Sequence, residues 1–144
     1  MEETTASEQE TIKFGIKLAK NLQGGDILCL YGDLGAGKTA LTKGLALVLG
    51  IKKNITSPTF TLMNIYEINN EQLTINKFVH IDTYRLKNEE DLVEIGAEDY
   101  LGAPDTVCVI EWPEKIEGLL AGKKIIRVKM EHVNRGRKIT IVNF

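Results

Sequence analysis

A chain of 144 residues with a net charge of −2, 43% hydrophobic and 26% charged residues has the profile of one ordinary globular domain. That size supports a three-layer core and leaves no room for a large lid or a separate substrate domain. The composition also excludes two classes. No apolar run approaches the roughly 20 residues that cross a bilayer, and four arginines in a mildly acidic chain do not make a protein that grips nucleic acid by bulk charge.

The acidic start Met1-Glu2-Glu3-Thr4-Thr5 lacks the charged-then-apolar layout of a signal peptide, which predicts a cytoplasmic protein. Ser7 with Glu10 three residues on is a capping-box start, and Ile12, Gly15, Ile16, Ala19 and Leu22 recur at helical spacing until Gly24-Gly25 stops the run. Ile27-Leu28-Cys29-Leu30 is apolar without alternation, as a central strand covered on both faces should be. Cys29, and Cys108 further on, read as small core residues in a reducing compartment. Next comes Gly32-Asp33-Leu34-Gly35-Ala36-Gly37-Lys38-Thr39, which fits the phosphate-binding pattern G-x-x-x-x-G-K-[ST] at every fixed position. A helix follows, with Leu41, Leu45, Val48 and Leu49 as its buried stripe and Gly50 at its end.

Ser57-Pro58-Thr59-Phe60 reads as an extended loop, because Pro58 fixes its own φ and biases Ser57 away from helix. Residues 61–68 and 73–81 are β-prone runs around the polar connection Asn69-Asn70-Glu71-Gln72, which predicts a hairpin and therefore a mixed sheet. Residues 88–95 read as a helix capped by Asn88, 98–101 as a short turn, 107–110 as a second buried strand and 114–120 as a brief helix. Residues 125–130 and 138–142 alternate around Asn134-Arg135-Gly136, the pattern of a closing hairpin. With no internal repeat or linker, residues 1–144 are expected to form a single α/β domain, a three-layer P-loop NTPase-like fold with a mixed central sheet flanked by helices.

The glycines of the loop matter because successive backbone N–H groups wrap a phosphate only where no side chain intrudes. Lys38 adds a mobile positive charge for the outer phosphates, and Thr39, opening the helix, offers a hydroxyl to Mg²⁺. Chemistry on ATP also needs an acid to hold the metal and a group to orient the attacking water. Val79-His80-Ile81-Asp82 and Val107-Cys108-Val109-Ile110-Glu111 each end a strand on a carboxylate. If those strands run parallel to the first, both acids lie in the crevice beyond their carboxyl ends, where they can serve one Mg²⁺. The residues alone do not assign which acid ligates and which positions water.

Ser57 and Thr59 lie where switch loops of nucleotide hydrolases place a hydroxyl near the terminal phosphate, although Ser-Pro-Thr is equally an ordinary turn. His80 reads as a satisfied strand residue ahead of a base, and Trp112 as either a core cover or a platform over the site. Arg85 reads as the partner of a nearby acid ahead of a phosphate ligand. Two other classes stay in view: a small-molecule kinase, whose arginine-rich lid has no counterpart here, and a nucleotide-dependent binding switch with incidental hydrolysis.

Taken in order, the phosphate loop, Ser57-Pro58-Thr59-Phe60, His80-Ile81-Asp82-Thr83-Tyr84-Arg85 and Glu111-Trp112-Pro113-Glu114 resemble the TsaE (YjeE) family at similar spacing over nearly the whole chain. Leu92, Gly96, Asp99 and Tyr100 are similar to the family's segment between those elements. The resemblance implies a small ATPase required for threonylcarbamoyladenosine (t6A) at position 37 of tRNAs that read codons beginning with A. Such an ATPase works with TsaD and TsaB and meets tRNA only through that complex. It implies ATP/ADP and Mg²⁺ as cofactors. Lys38 would grip the outer phosphates, Thr39 and Glu111 would hold Mg²⁺, Asp82 would be the base or water orienter, and Thr59 would sense the terminal phosphate. Ala40 stands where the family more often has a second Thr reaching the α-phosphate, so one hydrogen bond worth about 1 kcal/mol is lost while the backbone N–H of Ala40 remains.

Overall fold

The structure, a computed structural model, describes residues 1–56 and 62–142. Seven strands, β1 (Glu2–Thr5), β2 (Ile27–Tyr31), β3 (Met63–Glu67), β4 (Lys77–Asp82), β5 (Thr106–Glu111), β6 (Ile125–Val133) and β7 (Gly136–Val142), form one sheet in the order β1-β7-β6-β2-β5-β4-β3. The helices are α1 (Glu8–Ala19), α2 (Lys38–Val48), α3 (Glu90–Glu94) and α4 (Glu117–Leu120), with 3₁₀ turns at Ala97–Asp99 and Pro113–Ile116. Strands β4, β5, β2 and β6 run parallel, while β3, β7 and their partners pair antiparallel. The expected mixed sheet is therefore present.

Side-chain parity on the central strands explains the layers. Leu28 and Leu30 of β2, Phe78 of β4 and Val107 and Val109 of β5 meet Phe14 and Leu18 of α1 and Leu41 and Leu45 of α2. The alternate residues, Ile27, Cys29, Val79, Ile81, Cys108 and Ile110, meet Leu92, Ala97, Leu101, Ile116 and Leu120 on the other face. Burial of each such leucine stabilises the fold by roughly 1.5–3 kcal/mol. Strand β6 has only one face covered, so Ile126, Val128 and Met130 are buried and Arg127 and Lys129 exposed, which is the alternation seen in its sequence. Cys29 and Cys108 are free and buried, and burial pushes both thiols up to about 12, so they are inert core residues.

Helices α1 and α2 touch backbone to backbone. A Cβ on Gly15 would lie 2.4 Å from the Leu41 carbonyl oxygen, and one on Gly44 would lie 2.2 Å from that of Ile12. At the start of α1, Ser7 Oγ accepts the Glu10 N–H at 3.2 Å, the expected cap, and the Glu10 carboxylate accepts from the Ala6 N–H.

Several elements differ from expectation. Helix α1 ends at Ala19, and its buried stripe is Thr11, Phe14, Gly15, Leu18 and Ala19, with Ile12 and Ile16 only half-buried. The acidic first residues form β1, paired with β7; a four-residue edge strand carries too little pattern to read alone. The hairpin connection is longer than the four polar residues, since β3 ends at Glu67 and β4 starts at Lys77. Just beyond the paired strands the Ile68 N–H still bonds to the Asn76 carbonyl at 2.8 Å, while the Asn76 N–H bonds to the Asp105 carbonyl ahead of β5. No helix among the described residues is long and apolar enough to cross a membrane.

Candidate active site

The parallel strands deliver their carboxyl ends to one cavity of about 1100 Å³. Its phosphate-loop wall consists of Leu34, Gly35, Gly37, Lys38, Thr39 and Ala40. Gly37 has φ 100°, a left-handed conformation that turns the chain into α2. A Cβ on Gly32 would come within 2.6 Å of the Met130 carbonyl oxygen of β6, so the loop can pass that close only as glycine. Of the remaining loop residues, Ala36 is buried in the core and Asp33 is exposed, its carbonyl accepting the Ala36 N–H.

Lys38 is buried, and its Nζ donates to the Gly32 carbonyl at 2.7 Å while lying 3.9 Å from the Trp112 ring centroid. Burial lowers its pKa, opposed by the negative charges of Glu111, Asp82, Glu114 and Asp33. The lysine is thus a desolvated cation held by a carbonyl dipole and a ring face.

The opposite wall is built by β4 and β5. Their register sets Asp82 beside Glu111, so both expected acids reach the cavity. Asp82 is half-buried, and burial raises its pKa; the Tyr84 N–H donating to its Oδ1 at 3.0 Å opposes the rise, and Glu111 adds to it. Glu111 is buried, and its Oε2 lies 2.7 Å from His80 Nε2. Thr83 Oγ1 donates to the carbonyls of Glu111 and Trp112, fastening the two strand ends together.

Trp112 has φ 60°, the one positive φ outside glycine among the described residues. Such backbone costs about 1–3 kcal/mol and persists where surroundings enforce it. Here Thr83 holds its carbonyl, and the ring lies between Lys38 and Tyr84, 5.1 Å from the latter's centroid. Of the two sequence readings, the platform over the site is the one observed.

Other residues had no sequence signal. Arg137 of β7 donates from Nη2 to the Gly35 carbonyl at 3.0 Å and from Nη1 to that of Gly136 at 3.0 Å. Ser7, Thr11, Asn134 and Arg135 line the same cavity. Arg85 lines it too, is exposed, and enters none of the ion pairs among the described residues, so the expected ion pair is not seen. Three arginines therefore border the cavity where the motifs alone suggested one. His80 is a buried strand residue as expected, bonded through Nε2 to Glu111, a candidate metal ligand, with Nδ1 left without a partner among the described residues. Ser57 and Thr59 lie outside the described residues.

With this geometry in hand, relatives of the chain become informative. The family model described as "Threonylcarbamoyl adenosine biosynthesis protein TsaE" matches residues 5–139. The chain belongs to the TsaE family. A TsaE protein of Treponema pallidum is 44% identical over 110 residues, covering 76% of either chain. The TsaE of Haemophilus influenzae is 36% identical over 140 residues, 94% of this chain and 84% of that one. The crystal structure of Bacillus subtilis YdiB superposes with a TM-score of 0.76 at 30% identity, covering 98% of this chain and 83% of that one. The α/β architecture is thus shared, and the family takes part in threonylcarbamoyladenosine biosynthesis, a tRNA modification.

Proposed function

We propose that this chain binds ATP with Mg²⁺ in the cavity and hydrolyses it to ADP and phosphate. In this reading it is the cytoplasmic ATPase that acts with TsaB and TsaD in forming t6A at position 37 of tRNAs reading codons that begin with A. The observation that carries the reading is the convergence of Lys38, Asp82 and Glu111, from α2, β4 and β5, on one cavity behind a glycine loop.

The residues suit both groups. The glycine cradle has no room for side chains where it passes Met130, and Lys38 rests on a neutral carbonyl that a phosphate oxygen would replace with a full negative charge. Thr39 and Glu111 offer hard oxygens of the kind Mg²⁺ takes, and would hold it. Bound there, the metal would neutralise phosphate charge. The helix N-terminus adds a favourable dipole. Lys38 binds the outer phosphates, and the Trp112 ring keeps water off its flank. Asp82, half-buried with a raised pKa, takes the proton of the attacking water. Thr59, outside the described residues, is assigned the sensing of the terminal phosphate by the family resemblance alone.

Arg137 is engaged by the carbonyls of Gly35 and Gly136, and Arg85 and Arg135 are solvent-exposed at the cavity border, so no arginine among the described residues is held in place for the transition-state charge and hydrolysis by the isolated chain is slow in this reading. Phosphate release measured with and without TsaB and TsaD tests the proposal. Slow release alone and faster release in the mixture are expected. Equal rates would remove the partnership, and no release in either would remove the ATPase.

A further inference from the structure

On the sheet face beneath α1 and α2, β4 presents Phe78, His80 and Asp82 in turn, and β5 presents Val107, Val109 and Glu111. Phe78 and Val109 are core, Asp82 lines the cavity, and His80 lies between them with no exposed surface. An apolar side chain would suit that place. The imidazole instead leaves its Nδ1 buried with no hydrogen-bond partner among the described residues, which native proteins rarely accept. What offsets this is the 2.7 Å contact between Nε2 and Glu111 Oε2. A carboxylate only accepts, so the partner assigns the proton to Nε2.

The register explains why the contact forms. Asp82 stands opposite Glu111, and His80 stands opposite Val109, one same-face position deeper. The ring therefore meets the Glu111 carboxyl from the core side.

We infer that His80 is a positioning residue: by holding Glu111 Oε2 from below, it fixes the carboxylate with Oε1 available to Mg²⁺. The inference rests on the ATPase reading above, in which Glu111 is a metal ligand. A ligating carboxylate that loses its supporting hydrogen bond typically binds metal about 10–100-fold more weakly.

The test compares wild type, H80L, H80Q and H80N. Mn²⁺ binding to the ADP complex is read by electron paramagnetic resonance, and ADP binding is read separately in EDTA. Gln places its amide nitrogen near the Nε2 position, whereas Asn is too short to reach Glu111. H80L is expected to weaken Mn²⁺ binding about tenfold or more while ADP affinity in EDTA stays within about twofold. H80Q is expected to restore Mn²⁺ binding and H80N to leave it weak. Mn²⁺ binding by H80L as tight as wild type overturns the assignment. So does a parallel loss of metal-free ADP affinity without rescue by H80Q, the mark of a purely structural role. If H80L does not fold, the Gln and Asn variants carry the comparison, and equal Mn²⁺ affinities overturn it. Wild type that binds no Mn²⁺ with ADP overturns the ATPase reading and this inference with it, whereas wild-type binding matched by H80L removes the role of His80 alone.

Discussion

The two walls of the cavity are built by different means. One is a contiguous loop, residues 32–40, whose shape comes from glycine backbone and whose charge comes from Lys38. The other is assembled from the ends of β4 and β5, 29 residues apart at Asp82 and Glu111, and is held together by side chains: His80 on Glu111, Thr83 on the Glu111 and Trp112 carbonyls. A wall made of backbone N–H groups can bind, but it has nothing to accept a proton. A wall of carboxylates can do that chemistry, yet it repels a triphosphate. The division predicts that damage to the first abolishes binding, and damage to the second spares binding and removes turnover.

The largest effect is expected for Lys38→Ala, which deletes the charge that meets the outer phosphates and should lower ATP affinity at least about 100-fold by calorimetry. Retained affinity would break the comparison by placing the nucleotide elsewhere. Asp82→Asn should cut kcat by about 10²–10⁴-fold with ATP affinity little changed, measured by single-turnover hydrolysis. The pH profile sharpens this. Burial and the neighbouring Glu111 raise the Asp82 pKa above 3.8, and a base must be deprotonated, so kcat should fall with acidity starting at a higher pH than for an ordinary aspartate. A limb at or below the ordinary value would argue against Asp82 as the base. The smallest effect is expected for Arg137→Gln, which removes the guanidinium contact with the Gly35 carbonyl; affinity should drop about fivefold, for roughly 1 kcal/mol, with kcat unchanged at saturation.

The same contrast decides how much was legible in the sequence. The loop is local: its glycines, lysine and threonine are consecutive, and the apolar run before it and amphipathic run after it fix its setting. Asp82 and Glu111 were legible because each closes an apolar run, and a strand-end acid needs only the sheet direction to become a site residue. Arg137 was not, since its contact with Gly35 spans 102 residues and depends on β7 lying beyond β6. His80 was half legible. Period-two parity puts it on the face of Asp82, but its bond to Glu111 exists only through the β4–β5 register. Strand β1 was hidden because four edge residues with one buried side chain give no periodicity to detect.

The bare backbone contact between α1 and α2 carries a mechanical consequence. With glycine at the crossing on each helix, the two backbones meet at a point that leaves no room for a Cβ on either side. Both helices line the cavity, α2 with Lys38, Thr39 and Ala40, and α1 with Glu8 and Thr11 behind its cap Ser7. A side chain at either crossing glycine would therefore force the helices apart and shift both flanks of the cavity together.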